Sequence, residues 1–303
     1  MWQELSIQLQ DGDTRALART ISLVENAVEG YDAFLEKLPE GKASIIGITG
    51  PPGAGKSTLV DALIGELVTS GKKIAVLCID PSSPFHLGAV LGDRIRMSDW
   101  YTNPSIYIRS LASRGSMGGL HPMIIEITYV LKAAGFDYII IETVGIGQSE
   151  VEIAGLADTT VVVLVPEAGD EIQTMKAGLM EIADIFVVNK ADRPDADLFV
   201  KNLRLMLAPS FNKKEEVPVL KTIASQKAGI DSLAAAIHNH SSSFSTSRKA
   251  FLLASKAWHI LQKIRMKDLD QRSLEQEIAH KLREGNFNLF SFITEVSNRR
   301  SSW

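Results

Sequence analysis

Four residues in the stretch GITGPPGAGKST, residues 47–58, stand at the spacing G-x-x-x-x-G-K-[ST]: Gly50, Gly55, Lys56 and Ser57. The apolar run SIIGIT precedes them and STLVDALIGELV, of helical composition, follows, which is the strand–loop–helix setting that gives the spacing its meaning. Backbone N–H groups of such a loop and of the helix start converge on an anion, and glycine lets the chain come close to it. The candidate phosphate-binding residues are Gly50, Gly53, Ala54, Gly55, Lys56, Ser57 and Thr58. Lys56 is placed to reach β- and γ-phosphates, and the Ser57 hydroxyl to ligate Mg²⁺. The ligand expected here is a nucleoside triphosphate.

The base is addressed by VVNKAD, residues 187–192, at the end of another apolar run. A carboxylate at Asp192 can accept from both N1–H and the 2-amino group of guanine, whereas adenine has an acceptor at N1 and no 2-amino group. Asn-x-x-Asp alone is an ordinary turn after a strand. Downstream of a phosphate loop it makes Asn189, Lys190 and Asp192 candidates for guanine. Ser225, in KTIASQKAG, is the candidate brace for a backbone loop over the guanine O6. The cofactors expected are therefore GTP or GDP with Mg²⁺.

Asp80 in CIDPSSP and Glu142 in IIIETVG each end a strand-like run facing the phosphate loop, and Asp93 lies in LGDRIRM. Mg²⁺ needs only Ser57, phosphate oxygens, waters and one or two such carboxylates. ETVG stands where many GTPases carry Asp-x-x-Gly. Glu142, one methylene longer, suits either a water-mediated bond to Mg²⁺ or orientation of the attacking water, and Gly145 is the candidate backbone donor to the γ-phosphate. Gln148 lies three residues beyond Gly145, so water positioning competes with a solvated or interface role. Arg109 and Arg114 can offer charge to a phosphate or a partner, with an ion pair the alternative for Arg109. Lys176, beyond Gly169 in PEAGDEIQTMK, suits either a switch or a helix surface.

These residues need a scaffold that brings distant strand ends together. Between residues 44 and about 235, β-branched runs (SIIGIT, KIAVLCI, SIYIRS, DYIIIE, TTVVVLV, DIFVVN, VPVLKT) alternate with helical stretches. Continuous rather than alternating apolarity marks strands buried on both faces, hence an α/β, mostly parallel sheet flanked by helices, whose ligands bind at the carboxyl ends of the strands. Asp13 can cap a helix with Leu17, Ile21, Val24 and Val28 on one face. The expected organisation is an N-terminal helical extension (1–43), a P-loop domain (44–240), and a linker with a C-terminal helical arm (241–303). In the arm, Leu253, Ala257, Leu261 and Ile264 form one stripe and Leu274, Ile278 and Leu282 another. Phe287, Phe290 and Phe292 suit a packing or dimer surface, and His238 and His240 read as a solvated pair before a Ser-rich linker.

The 303 residues carry 32 Lys+Arg against 36 Asp+Glu, net −4, without a basic run. No nucleic-acid partner is expected. Acidic residues stand where a signal peptide needs positive charge, and no apolar run is long enough to span a bilayer, so the expectation is a cytoplasmic protein with no membrane partner. Cys78 is the only cysteine and sits in an apolar run, which suits a small core residue.

Together GPPGAGKST, IDPSSP, LGDRIRM, IRSLASRGSMGGL, ETVGIGQSE and NKAD resemble the MeaB/ArgK-type GTPases, relatives of the methylmalonic aciduria type A protein, over nearly the whole chain. The resemblance implies a P-loop GTPase whose metal and switch region includes Ser57, Asp80, Asp93 and Glu142, with Lys56, Asp80 and Glu142 the catalytic set. It also implies a homodimer held partly by the C-terminal arm. The implied role is that of a chaperone gating cofactor loading and protection of an adenosylcobalamin-dependent acyl-CoA mutase. Two rivals share the motifs: a metal-insertion GTPase, for which a single cysteine offers no relay, and a P-loop kinase, for which no second-substrate motif stands out.

Overall fold

The computed structural model describes residues 1–80, 97–113, 120–143, 149–168, 177–207, 217–242, 246–266, 269, 271–285 and 287–298. Asp93, Arg114, Gly145, Gln148, Gly169 and Lys176 lie outside the described residues.

The seven β-branched runs are seven strands: β1 Ser44–Thr49, β2 Ile74–Asp80, β3 Ile106–Ala112, β4 Tyr138–Glu142, β5 Thr159–Leu164, β6 Ile185–Val188 and β7 Val219–Lys221. They form one sheet in the order β3-β2-β4-β1-β5-β6-β7, and every pairing is parallel. Alternate residues of the runs feed opposite faces, which is why the runs are continuously apolar. On one face Ile46, Ile48, Val76, Ile140 and Val161 pack with Leu59, Leu63 and Leu67 of the helix Lys56–Thr69 and with Leu233 and Ile237 of Ile230–Ser242. On the other, Ile45, Leu77, Ile139 and Ile141 meet Leu17, Ile21 and Val24 together with Ile127 and Leu131 of Ile124–Ala133. A third cluster joins Val162, Leu164, Phe186 and Val188 to Phe199 and Leu203 of Ala196–Leu207. Each fully buried aliphatic side chain contributes about 1.5–3 kcal/mol, so these faces dominate the stability of the sheet.

The N-terminal helices are α1 Trp2–Gln10, α2 Thr14–Glu25 and α3 Tyr31–Leu35. Asp13 caps α2 as expected, its carboxylate accepting from the backbone N–H of Arg15 at 2.7 Å and of Ala16 at 3.1 Å. Val28 departs from the expected helical face: α2 stops at Glu25 and Ala27 takes φ +47°, so Val28 lies past the helix end.

His240 also departs from the expected solvated pair. Its Nδ1 lies 2.9 Å from the Thr159 hydroxyl and its Nε2 3.5 Å from Asp184, at the amino ends of β5 and β6. His238 stays exposed, with Nδ1 3.4 Å from the Tyr138 hydroxyl. Asp184 accepts from Thr160 N–H at 2.9 Å and from Arg248 Nη2, satisfying a buried carboxylate.

The chain divides into two compact units, Met1–Leu253 and Ala254–Trp303. In the second, the rings of Phe287 and Phe292 lie 5.9 Å apart, and Lys281 stands 5.8 Å over the Phe292 ring. Leu261, Ile264 and Leu282 of the expected stripes are exposed, and Leu274 and Ile278 half-buried.

Candidate nucleotide site

The β1 chain leaves the sheet at Thr49 and re-enters helical geometry at Lys56, the first residue of α4, Lys56–Thr69. Two of the glycines between them are dictated by space as well as by backbone angle. At Gly50, φ +140°, a Cβ would fall 2.1 Å from the Val163 carbonyl oxygen; at Gly55, φ +86°, it would fall 2.5 Å from Asn189 Nδ2. Gly53 also has positive φ, at +78°, and Ala54 is fully buried. Gly55 is the N-cap of α4 and makes no side-chain cap hydrogen bond to the first N–H groups of the helix. Thr58 is half-buried in the first turn.

Lys56 folds back over the loop. Its Nζ donates to the carbonyl of Gly50 at 2.9 Å and of Pro51 at 3.1 Å, and the side chain is buried. The ammonium is thus held in the concavity where an anion would meet the loop N–H groups.

Glu142 ends β4 between its two neighbours, in register with Ile48 of β1 and Cys78 of β2. Its Oε1 accepts the Ser57 hydroxyl at 2.6 Å, and both residues are buried. Asp80, 3% exposed, ends β2 on the same rim. Next to Glu142, Thr143 donates its N–H to Ile48 O at 3.0 Å and its hydroxyl to Thr49 Oγ1 at 2.9 Å, tying the ends of β4 and β1 together. The short Ser57–Glu142 bond, hydroxyl to carboxylate, is of the charge-assisted kind that fixes both partners.

Asn189, directly after β6, makes three side-chain hydrogen bonds to protein. Its Nδ2 donates to Ala54 O at 3.0 Å, and its Oδ1 accepts from the Thr222 hydroxyl and the Ala224 N–H, each at 3.1 Å. Lys190 takes φ +55° and sends Nζ to Gly53 O at 2.8 Å. Ala191 N–H bonds Thr222 O at 3.0 Å, which sets the course of the chain into Asp192, whose side chain is exposed on the rim. Ser225 is likewise exposed, in the short 3-10 turn Ala224–Gln226 that an Ile223–Ala228 bridge closes.

Arg193 pairs with Glu167 across this rim, and that hydrogen bond holds the Glu167 carboxyl below its ordinary value, against a small opposing effect of burial. Arg109 does not face the phosphate loop: it is in an ion pair with Glu25 at 2.6 Å. The structure therefore brings Lys56, Ser57, Asp80, Glu142, Asn189 and Lys190 to one end of the sheet, with Asp192 and Ser225 on its solvent edge. Thr222 and the Thr49–Thr143 pair were missed by sequence reasoning. An Asn at a strand end needs acceptors and donors from a neighbouring strand, and the Thr before Ile-Ala-Ser was the available signal.

A sheet of this order with a phosphate loop after β1 and Asn-Lys-x-Asp after β6 defines a P-loop GTPase. The chain matches, over residues 17–277, the family described as methylmalonyl-CoA mutase-associated GTPase MeaB, and it belongs to that family. A Pyrococcus abyssi protein named as a GTPase is 50% identical over 246 residues, 79% of this chain and 76% of that protein. The mitochondrial methylmalonic aciduria type A homolog of Caenorhabditis elegans is 42% identical over 207 residues, 63% of this chain and 52% of that protein. A crystal structure described as an LAO/AO transport system kinase superposes with TM-score 0.67 at 25% identity, covering 98% of this chain and 96% of that one. The protein is a GTPase that binds guanine nucleotide.

Proposed function

We propose that this GTPase is a chaperone of an adenosylcobalamin-dependent acyl-CoA mutase, methylmalonyl-CoA mutase or a close relative, and that GTP hydrolysis gates cofactor loading and protection. The observation that carries this reading is the description of the matching family as mutase-associated. The name of the Caenorhabditis elegans relative supports it.

In this reading the loop N–H groups from Gly50 to Thr58 hold the phosphates, and Lys56 exchanges the Gly50 and Pro51 carbonyls for phosphate oxygens. Asn189 and Lys190 brace the loop, while Asp192 reads the guanine edge and Ser225 supports the turn beside O6. Gly145 is the backbone donor to the γ-phosphate. The donor set at the strand ends is all oxygen, with a buried carboxylate already aimed at the Ser57 hydroxyl, and this fits Mg²⁺. Ser57, Asp80, Asp93 and Glu142 are its proposed surroundings, directly or through water. When bound, Mg²⁺ offsets charge on the phosphate oxygens. Glu142 holds the Ser57 hydroxyl and is the candidate to orient water, and Asp80 supplies a second carboxylate on the rim.

Dimerisation through the C-terminal arm belongs to the same proposal, with 1–43, 44–240 and 241–303 as the functional segments and the cytoplasm as the place of action. The helix Thr246–Arg265 exposes Phe251, Leu253, Trp258, Leu261 and Ile264, an apolar display that a second copy would cover.

The test is phosphate release with and without purified candidate mutases. Alone, turnover should be slow, roughly 10⁻⁴ to 10⁻² s⁻¹, as for unassisted GTPases. The cognate mutase should raise it, and mutase affinity should differ between GTP and GDP states by the factor with which the mutase changes nucleotide affinity. Fast turnover indifferent to every such mutase refutes the role. Transfer of the γ-phosphoryl group to a small molecule or protein instead of water would favour a kinase, the description attached to the superposed crystal structure.

A further inference from the structure

At the Asp80 end of β2 the pairing with β3 runs further than the pairing with β4. Pairing of β2 with β4 runs only as far as Cys78↔Glu142, whereas pairing with β3 continues through Ile79↔Leu111 to Asp80↔Ala112. Ser113 N–H extends it, donating to Asp80 O at 3.0 Å. The Asp80 backbone is therefore tied to β3, and β3 is the outermost strand of the sheet.

On its helix-covered face β3 packs Tyr107 and Leu111 into the apolar cluster that includes Leu17, Ile21 and Val24 of α2, and between them it makes a polar contact with the same helix. Arg109, in the middle of the strand, sends Nη2 to Glu25 Oε2 at 2.6 Å and to the Ser22 hydroxyl at 3.1 Å, and Nη1 to Ala18 O at 3.3 Å, all three on α2. The pair is largely buried, with 20% of the Arg109 side chain and 14% of the Glu25 side chain exposed. Burial alone pushes the guanidinium down, but the Glu25 bond and neighbouring Tyr107 outweigh it and leave Arg109 above its ordinary value.

The other Glu25 oxygen, Oε1, lies 3.7 Å from His121 Nε2. His121 Nδ1 accepts the Met123 N–H at 3.0 Å, so the proton of the neutral ring sits on Nε2 and faces Glu25. The carboxylate at the last residue of α2 thus addresses both β3 and the turn leading into the helix Ile124–Ala133. An apolar contact would hold α2 against the sheet without the desolvation cost of a buried ion pair. What the three guanidinium contacts, to Ala18, Ser22 and Glu25, add is directional hydrogen bonding that sets the register between helix and strand.

Resting on the reading of Asp80 as a magnesium-side carboxylate, we propose that Glu25 is a positioning residue of the nucleotide site. Through Arg109 it fixes β3, and through β3 the end of β2 that carries Asp80. The N-terminal extension is in this way a working part of the GTPase.

The test compares Glu25→Ala, Glu25→Gln and Asp80→Asn in the full chain. GDP affinity is measured calorimetrically across a Mg²⁺ series and in EDTA, together with the half-saturating Mg²⁺ for GTP hydrolysis and the melting temperature. Groups that orient metal ligands change metal affinity 10–100-fold when removed; at one further remove, Glu25→Ala should raise the half-saturating Mg²⁺ roughly three- to tenfold. GDP affinity in EDTA should stay the same. Glu25→Gln, which keeps an acceptor for Arg109, should shift it less. Combining Glu25→Ala with Asp80→Asn should be no worse in Mg²⁺ dependence than Asp80→Asn alone. A lower melting temperature with unchanged Mg²⁺ dependence makes Glu25 a structural contact only and overturns the proposal. If Asp80→Asn is itself silent, the reading of Asp80 fails and the proposal with it; if Asp80→Asn shifts and Glu25→Ala does not, only the positioning role fails. Should Glu25→Ala not fold, Arg109→Lys, which keeps the charge but loses the fork, carries the same expectation and the same refutation.

Discussion

Asn189 and Ala54 are joined across the mouth of the site: Nδ2 of the first residue of Asn-Lys-Ala-Asp donates to the carbonyl of the phosphate loop at 3.0 Å. The segment expected to read the base and the loop expected to hold the phosphates are thus tied directly, by this bond and by Lys190 Nζ on Gly53 O at 2.8 Å. Thr222 completes it by donating to Asn189 Oδ1 at 3.1 Å. Thr222→Val keeps the shape and removes that donor, so it should cost about 1 kcal/mol of stability. Asn189→Ala leaves the Thr222 hydroxyl, the Ala224 N–H and the Ala54 carbonyl without their shared partner, at about 1–3 kcal/mol for each buried group. Urea unfolding with GDP titration checks the order: Asn189→Ala should lose more stability and more GDP affinity than Thr222→Val. Equal effects would mean that the bridge carries no special weight.

Gly55→Ala tests the same junction from the loop side. The new methyl group would stand 2.5 Å from Asn189 Nδ2, at φ +86°. Left-handed geometry alone costs about 1–2 kcal/mol for an L side chain. The contact adds to that and pushes the loop away from Asn189. GDP affinity should fall about tenfold for each 1.4 kcal/mol lost in the bound geometry. Gly53→Ala is the control: its φ is also positive, but no atom lies within 4 Å of the added Cβ. It should therefore be milder in calorimetric titration.

Lys56→Ala removes the buried ammonium that now satisfies the Gly50 and Pro51 carbonyls. Hydrolysis of GTP should become unmeasurable while the circular dichroism spectrum is unchanged, because the sheet and α4 pack through Ile48, Leu59 and Leu63 rather than through the loop. Phosphate release and a far-ultraviolet spectrum on one preparation suffice, and full activity would remove Lys56 from the site.

The sheet was legible because burial on both faces forces uninterrupted apolar runs, and each of SIIGIT, KIAVLCI and DYIIIE is long enough to be read without its partners. That Lys56, Ser57, Glu142 and Asn189 would meet at one end of the sheet was legible because each ends or closely follows an apolar run of a parallel sheet. Thr222 was not, since its task is defined only by where β7 lies against β6. Nor was the pairing of Arg109 with Glu25, 84 residues apart in sequence. Val28 fitted a helical period that the chain does not use, because Ala27 turns left-handed directly after α2. Periodicity records which residues can share a face and is blind to the backbone angle that ends it. His240 looked like a tail residue from composition alone, and becomes part of the sheet's amino edge once Thr159 and Asp184 are placed beside it.

Asp192 offers the sharpest test of base recognition because its side chain is exposed and makes little structural contribution to lose. The chain on either side of it is tied down, by the Ala191 N–H on Thr222 O and the Arg193 N–H on Lys190 O, each at 3.0 Å, so a substitution at 192 should change chemistry and leave placement intact. A carboxylate accepts two hydrogen bonds from N1–H and the 2-amino group of guanine; an amide presents one acceptor and one donor. Xanthine carries a carbonyl at position 2, which an amide N–H can meet. Asp192→Asn should therefore weaken GTP and strengthen XTP. A bidentate pair to a base is worth about 1–3 kcal/mol of discrimination, so each affinity should move roughly tenfold or more in opposite directions. Competition of GTP, XTP and ATP against a fluorescent GDP analogue measures it, with urea unfolding of the same protein to show that stability is unchanged. If the variant keeps the GTP preference of the parent, the carboxylate at 192 does not contact the base.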